Sequence, residues 1–181
     1  MSFSRPTADH TANVLGALAL VLADRTAEAI SKPTGLATSD AVALAALLHH
    51  FLDRPSIDRL AKVLGLTPSG AVRLVDRLAA ADLVAREAGG DSRTAAVAVT
   101  ADGDELARGV TDARARVLQD ALAALSVPDR HALDALLGDV LAGLVREPGA
   151  TRWICRLCDT DACGRSTGHC PVASEARRRY T

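Results

Sequence analysis

A single glycine between two amphipathic stretches constrains this chain more than any other residue. Before Gly65, Ser56 is placed to cap a helix whose apolar stripe is Ile57, Leu60, Ala61 and Leu64. After it, Thr67 is placed to cap a second helix and Pro68 takes its first position, where a missing N–H is harmless. A left-handed turn at Gly65 costs that residue nothing, so the two helices are expected to follow one another through a tight corner. The second helix runs to about residue 81. Ala71, Leu74, Val75 and Leu78 face inward, while Ser69, Gly70, Arg73 and Arg77 share the opposite face.

The next segments complete a unit. Val84 to Glu87 reads as a strand, Gly89-Gly90-Asp91-Ser92-Arg93 as a polar tip, and Thr94 to Val99 as a returning strand. Helix, turn, helix and a two-stranded ribbon from Pro55 to Thr100 make a winged helix-turn-helix, a device that sets one helix into a DNA groove. Long helices flank it. One is expected over about 9–31, broken by Lys32-Pro33-Thr34-Gly35. A second, over 40–52 with Thr38 or Ser39 as its cap, is apolar almost all round and therefore buried. Thr100 caps a third over 101–125. Ser126-Val127-Pro128 interrupts the chain before a fourth over 129–146, whose apolar positions are Leu133, Leu136, Leu137, Val140, Leu141 and Leu144. The expected fold is mainly α, with a small two-stranded wing embedded in a helical frame.

Composition narrows the classes. The 181 residues are 49% hydrophobic but only 2% aromatic, so the core must be Leu, Val and Ala on helices. The formal net charge of −1 neither favours nor excludes nucleic acid. Within 56–99, six basic residues (Arg59, Lys62, Arg73, Arg77, Arg86, Arg93) meet five acidic ones (Asp58, Asp76, Asp82, Glu87, Asp91), so any DNA binding depends on where charge sits. Val14 to Ala23 imitates a signal sequence, but the helical pattern continues through Arg25 and Ile30 and the run is too short to span a bilayer, so a cytoplasmic protein is expected. There is no Gly-rich phosphate loop, nucleophile elbow or HExxH, which argues against an enzyme.

The run L-A-K-V-L-G-L-T-P-S-G-A-V-R-L-V-D-R-L, with D-x-R ahead of V-T-x-x-G, resembles the MarR family of bacterial transcriptional regulators. The resemblance spans about residues 9–144. It implies a homodimer in which 9–36 and 101–146 form the dimerisation region and 37–100 the winged helix-turn-helix. It also implies binding to a pseudo-palindromic operator, usually as a repressor, with release on binding a small effector or on cysteine oxidation. On that frame Ser69 and Gly70 permit close approach to the groove and Arg73 reaches a guanine edge or a phosphate. Arg77 meets the backbone, and Arg86, Ser92 and Arg93 serve the wing, with Asp91 orienting Arg93 as the family's Asp/Arg pair does. Effectors in the family lie between the winged domain and the dimer helices, where Arg25, His49 and His50, with Phe51, are the nearest polar or aromatic groups. Gly70, Ala81 and Gly89-Gly90 depart from the common pattern and bear on which operator is read.

All four cysteines fall in a tail over 150–181: Cys155, Cys158, Cys163 and Cys170, spaced C-x2-C-x4-C-x6-C. In a reducing compartment such a cluster reads first as a zinc site, next as an iron–sulfur site because of its compact loop and final Cys-Pro, and otherwise as a metal-free thiol switch. His169 is a substitute ligand, Asp159 and Asp161 are nearby acids, and Trp153 is expected to pack the tail onto the helical body. Arg177-Arg178-Arg179 reads as a solvated end or a phosphate contact. The functional expectation is a DNA-binding regulator whose operator affinity responds to this metal or redox tail. The alternatives are a small-molecule-responsive regulator with a purely structural tail, and a helical protein-interaction adaptor.

Overall fold

The computed structural model describes residues 9–51, 53–87 and 95–181. Asp91, Ser92 and Arg93 lie outside them. Eight helices and one antiparallel ribbon are described, in the order α1 (His10–Thr34), α2 (Thr38–His50), α3 (Ile57–Leu64), α4 (Pro68–Ala80), β1 (Val84–Glu87), β2 (Ala96–Val99), α5 (Ala101–Leu122), α6 (Val127–Gly143), α7 (Ala150–Ile154) and α8 (Pro171–Tyr180).

The helix-turn-helix forms for the local reasons its sequence suggests. The Ser56 hydroxyl accepts the Arg59 N–H, Gly65 adopts φ 65°, and the Thr67 hydroxyl accepts the Gly70 N–H. These contacts satisfy orphan amides at both helix starts and turn the chain between them. Leu60, Leu74, Val75 and Leu78 then close on Leu44 of α2 and Val97 of β2 in one core. β1 pairs with β2 in the register Val84↔Val99 to Glu87↔Ala96. The ribbon leads directly into α5, whose cap has two uses. Thr100 Oγ1 accepts the Gly103 N–H and donates to the Asp82 carbonyl at 2.7 Å. The approach is so close that a Cβ on Gly103 would stand 2.0 Å from the Leu83 carbonyl oxygen.

Around this unit α1, α2 and α5 meet over a second small core of Ile30, Ala41, Ala45, Val110 and Ala113. Several element ends differ from expectation. The first helix passes through Pro33 and stops at Thr34, because a proline in the last turn forfeits a single backbone bond and Gly35 then caps at φ 64°. Residues 38 and 39 are not the cap of α2; Ala37 is, without a side-chain bond. α5 and α6 end at Leu122 and Gly143, a few residues before the expected 125 and 146. The tail carries two helices that hydrophobic periodicity does not announce. α8 packs on α6 and α7, with Val145, Ala150, Val172, Ala173 and Ala176 buried alongside Cys155 and Cys170. The signal-like segment lies inside α1, and among the described residues no helix is long and apolar enough to cross a membrane.

Candidate nucleic-acid interface and cysteine cluster

The outward face of α4 presents Ser69, Arg73, Asp76 and Arg77, all exposed, above the buried stripe that holds the helix down. These residues do not play equal parts. Arg73 makes no ion pair among the described residues and stands ready to contact an external anion. Arg77 is committed inward. Its Nε donates to Asp40 Oδ2 at 2.8 Å and its Nη2 to Asp40 Oδ1 at 2.6 Å. Asp40 lies in α2, where it is the one buried charged residue among those described. The Arg77 guanidinium holds the Asp40 carboxyl below the ordinary carboxylate range, and Asp40 in turn raises Arg77. Arg77, expected to meet the DNA backbone, is thus bonded to Asp40 and clamps the end of α4 to the start of α2. The signal was legible as an aspartate standing in an otherwise apolar helix.

Arg86 is also engaged. Its Nη2 lies 2.5 Å from Asp76 Oδ1 and 3.3 Å from the Val72 carbonyl, so it ties β1 to α4 rather than extending from the wing. The pair also neutralises the acid on the α4 face. Gly70 receives a different explanation. A Cβ there would meet Thr67 Oγ1 at 3.0 Å, so the glycine accommodates the helix cap beneath it. Ser69 stays on the rim, its hydroxyl 3.4 Å from that of Thr67.

Residues 34–94 match the sequence model of the MarR family. Over this segment the chain is similar to the MarR family. Members of that family are transcription regulators, and the matched segment contains both helices of the helix-turn-helix. A MarR family protein from Bacillus stearothermophilus superposes with a TM-score of 0.66 at 23% identity, covering 75% of this chain and 94% of the other. MepR, a transcription regulator of the Staphylococcus aureus multidrug efflux pump MepA, gives 0.64 at 18% identity, covering 74% and 97%. RV1404 from Mycobacterium tuberculosis gives 0.59 at 26% identity, covering 76% and 96%. Comparison with curated protein sequences gives no match.

The proposed effector residues separate. Arg25 is exposed on α1 and lines none of the described clefts. His49 turns to α5, its Nε2 2.8 Å from Thr111 Oγ1. His50 faces the tail, where Arg165 Nη1 lies 3.4 Å from its Nδ1. Burial, helped by Arg165 and His49, pushes the His50 pKa down to about 4, so the ring is neutral at neutral pH. With Phe51, Asp53, Arg59, Val63, Arg152 and Arg165 it lines a cleft of about 280 Å³ between the winged unit and the tail. Arg59 is already paired, 2.6 Å from Asp53 and stacked over the Phe51 ring.

In the tail all four cysteines share one cluster, Cys155 and Cys170 buried and Cys158 and Cys163 packed against them. Cys158 is the neighbour that most perturbs Cys155, and Cys170 lies near Cys163. The contact with Cys155 lowers Cys158 to about 6, assisted by Arg114 and Arg165, while Cys155 moves far up and burial raises Cys163. Among the described residues no three His, Cys, Asp or Glu side chains already enclose a common point. Gly164 at φ 61° and Gly168 at φ 82° fold the loop back. The other expected tail groups have local partners. His169 Nδ1 faces the Thr167 hydroxyl at 2.8 Å, and Asp159 accepts the N–H groups of Asp161 and Ala162. Asp161 is exposed. Trp153 is 39% exposed, and its Nε1–H donates to Glu147. In the terminal run Arg178 and Arg179 pair with Glu175, and Arg179 also reaches the Val145 carbonyl at 3.1 Å.

Proposed function

We propose that the chain is a cytoplasmic, non-enzymatic DNA-binding regulator that acts as a homodimer on a pseudo-palindromic operator, as a repressor, with affinity modulated by the cysteine tail. The observation that carries this reading is the exposed α4 face, with Arg73 in no ion pair among the described residues, set on a buried stripe and braced by the Arg77–Asp40 and Arg86–Asp76 pairs. A helix so held keeps its register when it enters a major groove. Ser69 and Arg73 read from α4, and Arg93 with Ser92 reads from the wing tip. Gly70 shapes the cap, while Arg77 and Arg86 position the elements.

The homodimer is supported by apolar stripes without a cover. On α1, Val14, Leu18, Leu20 and Val21 are each about half exposed or more, and so are Leu136 and Val140 on α6 and Leu144 just past its end. α6 has no buried residue at all. Monomeric proteins do not leave two such helices open to water. A second chain laid along them buries both and sets two α4 helices for successive half-sites.

The test is binding of the full chain to duplexes recovered by selection from a random pool. Expected are a two-fold symmetric site with half-sites about one helical turn apart and a steep fall in affinity with salt. Binding that is absent at low salt refutes the reading and leaves the adaptor.

A further inference from the structure

The tail has a core too small for its length. Its fully buried members are Val145, Ala150, Val172, Ala173, Ala176 and two cysteines, none larger than valine. Units of this size are ordinarily cross-linked by disulfides or a metal. We propose that Cys155, Cys158, Cys163 and Cys170 together bind one zinc ion, and that this ion staples the tail to the α2–α3 end of the DNA-reading domain. The name of that domain rests on the function proposed above; the metal site does not.

Three observations select a single ion. The first is convergence: four thiols spread over a short loop share one cluster. With zinc–sulfur bonds of about 2.3 Å, one ion holds neighbouring sulfurs of a tetrahedral site about 3.8 Å apart. An iron–sulfur cluster places several irons and sulfides between its thiolates and holds them farther apart. As placed, the thiols do not yet enclose a common point, and the ion draws them together.

The second is the loop. Cys158 N–H donates to the Cys155 carbonyl at 2.8 Å in a tight turn, and Cys170 is the cap residue of α8, without a side-chain bond of its own. A tight turn thus carries the first pair, and the start of α8 carries the last cysteine. A Cβ on Gly164 would collide with His169 Cβ at 2.9 Å, so the fold-back requires that glycine. The third is charge. Binding sends the protons of the thiols still protonated to solvent and leaves a tetrathiolate centre of net −2. Arg114 and Arg165 lie near Cys158 to offset it, with Asp159 also close by.

The staple follows from where the loop lies. Arg165, between Cys163 and Cys170 in sequence, reaches His50 at the end of α2, and α7 packs on α3. Ordering the loop around an ion therefore orders this contact with the winged unit.

The experiment uses the full chain, isolated under reducing conditions. Expected are about one zinc per chain and, after exchange with cobalt, the intense thiolate charge-transfer and visible bands of a tetrahedral site. Cys155→Ser/Cys158→Ser is expected to lose both. Cys170→His, which keeps a zinc ligand, is expected to retain metal with shifted bands, separating ligand loss from misfolding. Hydrogen exchange with and without chelator is expected to speed up in 150–170 and at the end of α2 on metal removal. A chain that takes up neither zinc nor cobalt, or that carries iron with sulfide, overturns the site. A metal whose removal leaves exchange at α2 unchanged overturns the staple. None of these readouts involves DNA, so their failure leaves operator binding to be judged separately.

Discussion

Removal of the Asp40 carboxylate tests the claim that Arg77 is a brace. The Asp40 side chain is 6% exposed and that of Arg77 54% exposed. Breaking a fully buried pair by deleting one partner costs roughly 3–5 kcal/mol, and an exposed pair is worth about 0.2–1 kcal/mol. Asp40→Ala leaves an arginine that can turn to water, so the loss falls between these, at ~1–2 kcal/mol, or ~2–8 °C in Tm for a chain of this size. Arg77→Ala is expected to be worse, because it strands a carboxylate in the interior with only the Ser39 hydroxyl, 3.1 Å away, to receive. The pH dependence has a definite sign. The Asp40 pKa is depressed in the folded chain, so the stability it contributes is fully present above the unfolded value of about 3.9 and is lost as pH falls through the lower folded value. The Tm gap between wild type and Asp40→Ala should thus be constant near neutrality and close in acid. Thermal melts across pH, with operator affinity measured against salt, decide the matter. Both substitutions should weaken DNA binding without changing the salt slope. If Arg77→Ala lowers the slope while both variants melt like wild type, Arg77 is a phosphate contact and the brace is idle.

Three further outcomes are expected. Arg73→Ala and Arg93→Ala should each weaken operator binding by more than ~1 kcal/mol, the former with a smaller salt slope if it meets a phosphate; gel-shift affinities unchanged in both sink the assigned surface. Gly103→Ala drives a Cβ to 2.0 Å from the Leu83 carbonyl oxygen and should cost ~3 kcal/mol or more, seen as a large drop in the urea midpoint. Leu136→Glu with Val140→Glu places charge on the open α6 stripe and should yield monomers by light scattering with helix content retained; a persisting dimer would place the interface elsewhere.

Most of the fold was legible because its signals are local. A cap, a turn glycine and an apolar stripe each act within a few residues, which is why Ser56, Gly65, Thr67 and Thr100 do what their neighbours imply. The helix ends were less legible, since passage through Pro33 depends on how near that residue stands to the end of its helix. In the candidate interface the residue types on the α4 face were readable from spacing, but their duties were not. Whether an arginine points to solvent or to a partner depends on a residue 37 positions away, as with Asp40 and Arg77, or 10 away across a turn, as with Asp76 and Arg86.

Sequence alone determined that this chain makes a helix-turn-helix with a two-stranded wing, that its long helices flank that unit, and that four thiols fall in one short tail. Periodicity and capping act at short range, and they are written in consecutive residues. Only the tertiary structure decided which arginines are available on the outer face, why Gly70 and Gly103 carry no side chain, that the cysteines gather in one cluster, and that their loop rests on the end of α2. Those outcomes depend on distances between residues far apart in the chain, which come into being only when the helices pack.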